Sequence, residues 1–345
     1  MIDTSFFPGA KFYWYQGKIC DWNEFGIHSM THALHYGTSV FEGIRAYDTD
    51  NGPAVFRLDE HMRRFFHSAT TINAEMHYTA EQIKSAIKLV VRKNAMRSAY
   101  IRPLLFFSYG NLGLVPKASR PELIIGCWGW GAYLGEEAFE KGIHGLIVPW
   151  KRLHPSQVDV RSKLGGLYVQ SMIAGNHARK LGFGEGIFLN LEGRVAEGPG
   201  ENIIIVKNGV LKANTAEESI LEGITRQSVL DIARNLGYEV AIGPITLEDL
   251  YSADEAFFCG TAAEVTPLTR VTDGRDSGKS QSEWPEYQIG SGMPGEITRN
   301  LAKVYGEIVR GKHPEYERWL TYVYDSPEAA QQVLGDVTEE RLTNF

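Results

Sequence analysis

A lysine set among glycines is the strongest chemical signal in the sequence. Lys163 is followed by Gly165, Gly166 and Tyr168, and an acidic residue, Glu197, comes further along the chain. A lysine amine can form a Schiff base with an aldehyde cofactor, and a fixed carboxylate can keep a pyridine nitrogen protonated so that the ring accepts electrons. The glycines leave room for a planar ring, and the tyrosine phenol can hydrogen-bond the ring oxygen. These residue types point to pyridoxal phosphate.

Two of these residues have a simpler interpretation when each is considered alone. A lone lysine such as Lys163 is usually solvated, because lysines are rarely buried. Glu197 by itself would be a surface acid, but it stands directly before a Gly-Pro-Gly sequence that would fix its position. The combination of residues, and not their spacing, indicates the cofactor.

Other motifs of known chemistry are incomplete. Residues 274–280 resemble a phosphate-binding P-loop, but Asp273 replaces its first glycine and no apolar helix follows, so a mobile polar loop is expected. His28, His32 and His35 share a helical spacing but lack the glutamate of HExxH and a third acidic ligand, so we expect ordinary packing and no metal site. No GxGxxG sequence supports nicotinamide binding.

Composition argues against a nucleic acid-binding, membrane or secreted protein. The 345 residues suit two domains or one large α/β domain, and 35 basic against 42 acidic residues without a basic block argue against nucleic acid or membrane partners. Three widely spaced cysteines fit reduced structural thiols. The amino terminus lacks the pattern of a secretory signal, and the longest uncharged stretch is short and rich in glycine. These features predict a cytoplasmic protein.

Turn and capping signals outline the elements of the first half. Gln16 and Gly17 predict a hairpin turn, and Thr79 with Gln82 predicts a capping box at the start of a helix. A further helix is predicted at 61–71, and strands are predicted near 99–107 and 122–126. In the second half we predict helices at 167–181, at 224–236 and from Pro294, with a hairpin turn at Asn208-Gly209.

The glycine-rich run at 126–135 is expected to connect two domains. Strands and helices mix without regular βαβ alternation, which favours α+β elements around mixed sheets over a doubly wound fold. The predicted organisation is a small α/β domain at 1–127, an interdomain loop at 128–138, and a large α/β domain at 139–345 with extra carboxyl-terminal helices from about 290.

Together these residues resemble the class IV, or fold type IV, pyridoxal phosphate-dependent aminotransferases, and among them the bacterial branched-chain amino acid aminotransferases. The resemblance covers roughly residues 5–270. Its motifs occur in the family's order at residues 32–47, 60–64, 98–103, 130–135, 222–226 and 260–264. It implies a two-domain α+β fold of the D-amino acid aminotransferase type, with the active site between the domains.

The resemblance also implies a cofactor site. Lys163 resembles the Schiff-base lysine, Glu197 the partner of the ring nitrogen, and Tyr168 the partner of the ring oxygen. Arg64, and not its neighbour Arg63, resembles the arginine that binds the phosphate. The remaining phosphate contacts would come from Ile224, Thr225 and Thr261.

The family accepts a branched apolar side chain and a glutamate side chain at one pocket. Arg102, together with the Tyr36 hydroxyl, resembles the receptor of the side-chain carboxylate. The α-carboxylate would meet Tyr100 and the backbone amides of Thr261 and Ala262. The implied apolar wall consists of Tyr36, Phe41, Trp130, Tyr133 and Tyr168, with Leu114 from the facing subunit.

The implied reaction is a reversible ping-pong amino transfer between L-leucine, L-isoleucine or L-valine and 2-oxoglutarate, in a homodimer or a larger assembly of dimers. The products are branched-chain 2-oxo acids and L-glutamate. The alternatives are a D-amino acid or (R)-amine transaminase of the same fold and, after these, aminodeoxychorismate lyase. Residues 277–288 resemble an insertion, and 326–345 extend past the usual end of the family with a helix start at Ser326-Pro327.

Overall fold

The computed structural model describes residues 6–24, 26–131, 134–135 and 137–335, and the chain divides into two compact units. The first unit contains Met1–Tyr133, Ser162–Leu167 and Glu307–Phe345, and the second contains Leu134–Arg161 and Tyr168–Gly306. This division differs from the predicted one, which assigned everything after residue 138 to the second domain. Periodicity predicts elements but does not say which sheet a later segment joins.

An eight-stranded antiparallel sheet forms the centre of the first unit. Its strands are β1 (Phe12–Tyr15), β2 (Lys18–Asp21), β3 (Ser39–Phe41), β4 (Ile44–Tyr47), β5 (Ala54–Phe56), β6 (Ala99–Phe107), β7 (Pro121–Trp128) and β16 (Leu320–Tyr322). They run in the order β16-β5-β4-β6-β7-β1-β2, with β3 also paired to β6. Strand β7 continues two residues beyond the predicted strand, into the glycine-rich run.

The helices of the first unit are α1 (His32–Tyr36), α2 (Leu58–Thr71), α3 (Ala80–Lys93) and α9 (Pro327–Leu334). The predicted capping box is confirmed, because Gln82 N–H donates to Thr79 Oγ1 (3.3 Å) and Thr79 N–H donates to Gln82 Oε1 (2.8 Å). The apolar faces of α2 and α3 pack with β6 and β7 in one core, for example through Phe65, Ile87 and Ile101.

A mixed sheet forms the second unit. Its strands are β8 (Ile143–Lys151), β9 (Glu185–Leu189), β10 (Asn202–Lys207), β11 (Val210–Ala213), β12 (Val240–Ile242), β13 (Glu255–Gly260), β14 (Glu264–Asp273) and β15 (Glu286–Gln288). They run in the order β12-β11-β10-β13-β14-β8-β9, with β15 on β14. Strand β8 is parallel to β9 and β14, and β11 is parallel to β12, whereas the other pairs are antiparallel. The predicted α+β class with mixed sheets is confirmed.

The helices of the second unit are α4 (Glu137–Lys141), α5 (Tyr168–Lys180), α6 (Ile224–Asn235) and α7 (Leu247–Tyr251), while α8 (Glu296–Ile308) crosses the boundary of the division. The predicted hairpin turn between β10 and β11 is confirmed by positive φ angles at Asn208 (49°) and Gly209 (78°). Strand β15 lies in the segment interpreted as an insertion and was not predicted.

His32, one of the three histidines with helical spacing, has ordinary hydrogen-bond partners in the structure. His32 hydrogen-bonds Thr38 Oγ1 (2.8 Å) and Gly113 O (2.9 Å), as expected for a packed histidine. In the described part of the chain no group of three or more His, Cys, Asp and Glu residues is arranged to hold a metal ion. No described helix has both the length and the apolar character needed to cross a membrane.

The described part of the segment beyond the family's usual end, residues 326–335, packs into the first unit, and residues 336–345 lie outside the described residues. Strand β16, which precedes this segment, pairs with β5, and α9 begins at Ser326, whose Oγ accepts a hydrogen bond from Ala329 N–H (3.2 Å). Ala330 and Leu334 are buried in the core, and the Leu334 carbonyl accepts a hydrogen bond from Arg97 (2.7 Å). This segment therefore covers apolar surface of the first unit.

Replacing Leu334 by alanine is expected to lower the free energy of unfolding of the first unit by about 2–3 kcal/mol, because a fully buried leucine leaves a cavity. Val333, its neighbour on α9, is 47% exposed and is the matched control. The Val333→Ala change should cost less than about 0.5 kcal/mol. Thermal unfolding of both variants measures the difference, and equal melting temperatures would contradict the packing role of α9.

Candidate functional site

Lys163 lies in Ser162–Leu167, a short segment of the first unit, just before a 3₁₀ turn at Gly165–Leu167. Lys163 itself belongs to no helix or strand. Its backbone N–H donates to Ser68 Oγ (2.9 Å) and its carbonyl accepts from Phe41 N–H (3.2 Å). Leu164 then forms an isolated bridge with Val40. The lysine is thus fixed by its backbone between α2 and β3, and its Nζ lies 5.2 Å from the centroid of the Phe41 ring.

The glycines near Lys163 allow close approaches between backbone segments. A Cβ on Gly165 would lie 2.2 Å from Ser39 Oγ, and a Cβ on Gly37 would lie 2.8 Å from the Cα of Gly166. Gly37 also has a positive φ of 66°, which favours glycine. These residues allow the lysine segment to approach α1 and β3 closely, which is a requirement of the backbone.

Arg64 projects from α2 into a buried ion pair. Its Nε and Nη2 donate to the two oxygens of Glu42 (2.7 and 2.8 Å), and His61 Nδ1 donates to Glu42 Oε2 (2.7 Å). We call Arg64, Glu42 and His61 the Arg64 cluster. Burial by itself would raise the pKa of Glu42, but the charge and hydrogen bonds of Arg64 lower it far below its ordinary value. Burial lowers the pKa of His61, so this ring is neutral.

The neighbouring residues Arg63 and Arg64 differ strongly in solvent exposure. The Arg63 side chain is 70% exposed and pairs with Glu60 (3.2 Å), whereas the Arg64 side chain is 12% exposed and meets a fully buried carboxylate. An exposed arginine cannot organise an anion site as well as one that is held in place, because surface pairs contribute little. The preference for Arg64 agrees with this geometry.

Arg102 and the aromatic residues around it form a second group in the first unit. The Arg102 guanidinium lies 4.5 Å from the centroid of Phe41 and 5.3 Å from that of Tyr100, whose hydroxyl accepts a hydrogen bond from Nη2 (3.1 Å). The Tyr100 ring stacks on Trp130 with centroids 4.4 Å apart. Arg102 Nε is buried, and no atom of the described residues accepts a hydrogen bond from it. The group therefore offers a cation at the edge of an aromatic surface.

The other predicted substrate residues of the first unit have separate contacts. The Tyr36 hydroxyl donates to Leu112 O (2.7 Å), and Leu114, which was predicted to serve the facing subunit, is 83% exposed on a loop. Tyr133 lies outside the described residues. The contacts of the described residues bring together Phe41, Tyr100, Arg102 and Trp130.

Glu197 is the buried carboxylate of the second unit. Arg152 Nε donates to its Oε1 (2.7 Å), while Asn202 Nδ2 (3.2 Å) and the backbone N–H of Leu221 (3.0 Å) donate to its Oε2. We call Glu197, Arg152, Asn202 and Leu221 the Glu197 cluster. Its donors hold both carboxylate oxygens at defined positions. A carboxylate held in this way is suited to pair with a protonated ring nitrogen.

Asn202 also connects Glu197 to the start of α6. Its Nδ2 donates to Leu221 O (2.9 Å), and its Oδ1 accepts from the N–H of Gly223 (3.0 Å), the residue before the helix. No side chain caps this helix, so the N–H groups of Ile224 and Thr225 at its start keep the capacity to bind an anion.

The remaining predicted residues of the second unit occupy the ends of elements. Tyr168 is the first residue of α5. Thr261 and Ala262 lie in the tight turn between β13 and β14, where Gly260 pairs with Glu264. Turn and helix-start positions expose backbone N–H groups, as the predicted contacts with carboxylate and phosphate require.

Comparison with known proteins identifies the family. The sequence profile of the class IV amino-transferases matches residues 39–271. A branched-chain-amino-acid aminotransferase of Pseudomonas aeruginosa is 42% identical over 310 residues, which cover 90% of this chain and 96% of that protein. The chain belongs to the class IV aminotransferase family.

Solved structures of branched-chain amino acid aminotransferases are similar to this chain over more than nine tenths of its length. The crystal structure of the T.th. branched-chain amino acid aminotransferase complexed with N-(5'-phosphopyridoxyl)-L-glutamate has a TM-score of 0.84 and 43% identity, covering 92% of this chain and 100% of that one. The Escherichia coli branched-chain amino acid aminotransferase has a TM-score of 0.85 and 39% identity, covering 91% and 100%.

The residues that hold the predicted ones in this class IV aminotransferase were not predicted from its sequence. Glu42 and His61 in the Arg64 cluster, and Arg152 and Asn202 in the Glu197 cluster, were assigned no role. Glu42 and His61 lie within motifs that the family resemblance covers, so their position was visible but their contacts were not. No spacing links Arg152 to Glu197, because they follow different strands, β8 and β9.

A second buried acid lies near Glu197 in sequence. Burial, reinforced by the charge of Glu185, raises the pKa of Glu201 to about 8. Glu201 Oε2 accepts a hydrogen bond from Gly200 N–H (3.1 Å). Because burial favours the neutral form of an acid, the folded protein takes up a proton here that the unfolded chain releases at lower pH.

This pKa determines the sign of a pH effect on stability. The folded pKa lies above the unfolded value of about 4.3, so Glu201 lowers the free energy of unfolding increasingly as the pH rises between these values, and this loss levels off above the folded pKa. The Glu201→Gln variant should therefore gain melting temperature over the unmodified protein, by at least about 3 °C more at pH 8 than at pH 5. Glu239→Gln, at an exposed position, is the control, and a pH-independent difference for Glu201→Gln would contradict the pKa.

Proposed function

We propose that this class IV aminotransferase is a branched-chain amino acid aminotransferase. It exchanges the amino group between L-leucine, L-isoleucine or L-valine and 2-oxoglutarate, giving branched-chain 2-oxo acids and L-glutamate. The observation that supports this best is the buried, unsatisfied Nε of Arg102 beside the rings of Phe41 and Tyr100. An apolar side chain can pack on the rings, and a side-chain carboxylate can meet the cation at their edge.

The chain's own groups fit pyridoxal phosphate as the cofactor. Lys163 supplies the amine for its aldehyde carbon, and Glu197 supplies the carboxylate for its ring nitrogen. Tyr168 would hydrogen-bond the ring oxygen. The phosphate contacts would be Arg64, Thr261 and the N–H groups of Ile224 and Thr225. The T.th. relative binds a ligand that joins a phosphopyridoxyl group to L-glutamate, which supports both the cofactor and the second substrate.

When bound, pyridoxal phosphate supplies the electron sink that stabilises negative charge at the substrate Cα. Glu197 strengthens this effect by keeping the ring nitrogen protonated, and Arg152 and Asn202 hold the carboxylate so that it does not reorient during the reaction. Preorganised groups of this kind stabilise developing charge without paying for rearrangement at the moment of reaction.

Lys163 acts as the base that moves the proton. Its Nζ would take the proton from the substrate Cα and pass it to the carbon that was the cofactor's aldehyde carbon. The backbone bonds to Ser68 and Phe41 hold the base of this side chain, so that Nζ moves only through its own torsions. Tyr100 and the N–H groups of Thr261 and Ala262 would orient the α-carboxylate.

The proposal includes a homodimer, or a larger assembly built from dimers, in the cytoplasm. The loop that contains Leu112, Leu114 and Val115 exposes all three apolar side chains, which is unusual for a surface that faces only water. In a dimer this loop would supply Leu114 to the apolar wall of the facing subunit. A partner subunit is consistent with the exposure of Tyr36.

A test of the function is amino transfer by the purified protein loaded with pyridoxal phosphate. L-leucine and 2-oxoglutarate should yield L-glutamate and 4-methyl-2-oxopentanoate, while D-alanine and (R)-1-phenylethylamine should react at least about tenfold more slowly, a difference of about 1.4 kcal/mol. The Lys163→Ala variant should lose the activity. Preferential reaction with D-alanine or the amine would assign the protein to a sister transaminase.

Arg102 should distinguish the two half-reactions. Replacing it by methionine keeps the aliphatic volume but removes the cation, so the specificity constant for 2-oxoglutarate should fall by roughly 10- to 100-fold, as expected when a charge-assisted hydrogen bond is lost. The half-reaction with L-leucine should change by less than about threefold, because its side chain has no carboxylate. Single-turnover absorbance with each substrate measures both, with Arg63→Met as the control. Equal losses in the two half-reactions would argue against the assigned role.

A further inference from the structure

We propose that Glu42, supported by His61, is a positioning residue that holds the Arg64 guanidinium in the orientation that binds the cofactor phosphate. This inference rests on the proposed function, which assigns Arg64 to the phosphate. It concerns residues of the first unit only. Glu42 itself is not expected to touch the cofactor.

Glu42 is held in place both by its backbone and by its side-chain carboxylate. Its backbone N–H donates to Pro103 O on β6 (2.9 Å), and the residue lies between β3 and β4 in the sheet. Its side chain is fully buried and receives three donors, from Arg64 Nε, Arg64 Nη2 and His61 Nδ1. A carboxylate with these contacts has one position only.

Binding along one edge determines the plane of a guanidinium. The Nε and Nη2 atoms of Arg64 both face Glu42, and the two parallel bonds of such a fork leave the group no freedom to rotate. The Nη1 edge must then point away from the carboxylate. The direction in which Arg64 presents its charge is therefore set by Glu42 and not by the flexible side chain of the arginine.

His61 prevents the carboxylate from turning. Burial keeps the pKa of His61 low, so the ring is neutral and donates a single proton from Nδ1 to Glu42 Oε2. A buried ion pair adds little net stability compared with apolar residues of the same volume. Its presence at this place fits a role in orientation better than a role in holding the fold together.

Helix α2 also connects the backbone of Arg64 to that of Lys163. Ser68, one turn after Arg64 on α2, donates its hydroxyl to the Arg64 carbonyl (2.8 Å) and accepts from the backbone N–H of Lys163 (2.9 Å). The residues assigned to the phosphate and to the aldehyde of one cofactor are thus connected through a single buried serine. The serine fixes the two backbones relative to each other, so the orientation of the Arg64 guanidinium is the remaining variable, and Glu42 sets it.

The experiment compares two aldehydes that differ only in phosphate. The apo forms of the unmodified protein and of Glu42→Gln are titrated with pyridoxal phosphate and with pyridoxal, and the dissociation constants are read from absorbance. A glutamine would turn an N–H₂ group toward the donors of Arg64 or His61. We expect the affinity for pyridoxal phosphate to fall by about tenfold or more, and the affinity for pyridoxal to change by less than about twofold.

Two controls separate positioning from folding. Glu60→Gln, on the same helix, removes a carboxylate that pairs with Arg57 and Arg63 and should leave both affinities unchanged. In the Arg64→Ala background, Glu42→Gln should have no further effect on the affinity for pyridoxal phosphate, because Glu42 acts through Arg64. Where Glu42→Gln fails to fold, Glu42→Asp tests the same point, because its shorter side chain cannot reach both Arg64 nitrogens and His61.

The outcomes separate this inference from the proposed function. Equal losses for both aldehydes, or an additive loss in the Arg64→Ala background, would overturn the positioning role while leaving the aminotransferase assignment intact. If the unmodified protein bound neither aldehyde, both proposals would fall. The ³¹P resonance of the bound phosphate provides an independent signal, and the same resonance in Glu42→Gln as in the unmodified protein would also refute the role.

Discussion

The burial of a carboxylate against an arginine is the interaction on which the candidate site residues of each unit depend. In the first unit Glu42 receives Arg64 and His61, and in the second Glu197 receives Arg152 and Asn202. Removing such a group from water is costly unless all of its hydrogen bonds are made. The surrounding elements therefore have to supply donors at fixed positions, and this requirement gives the side chains of each cluster their geometry.

The two clusters obtain their donors in different ways. In the Arg64 cluster one helix, α2, supplies both His61 and Arg64, so the spacing of a single helical turn brings them to the same carboxylate. In the Glu197 cluster the donors come from the end of β8, the start of β10 and the loop before α6, so the geometry depends on the order of strands in the sheet. The first cluster depends on strand pairing only for the position of Glu42, whereas the second depends on it for most of its donors.

Lys163 illustrates how much of a reactive residue's setting is backbone. Its position is defined by bonds from its own N–H and carbonyl and by the glycines that let Gly166 approach Gly37. Its Nζ lies 5.2 Å from the centroid of the Phe41 ring. The contacts of the backbone therefore determine where this side chain starts.

The sequence by itself determined the chemistry and most of the local structure. Lys163 and Glu197 were predicted from residue types and Arg64 from the family resemblance, and these roles stay predictions. The capping box at Thr79 and the turn at Asn208 were found from short-range rules, because the atoms that decide them are close in the chain. Tertiary structure alone decided what lies far apart in the chain. The pairing of β16 with β5, the place of residues 162–167 in the first unit, and the partners Glu42 and Arg152 all join segments between which no periodic pattern extends. Hydrogen-bond partners of buried charges are chosen by the packed fold as a whole, because only the fold determines which groups lose water together.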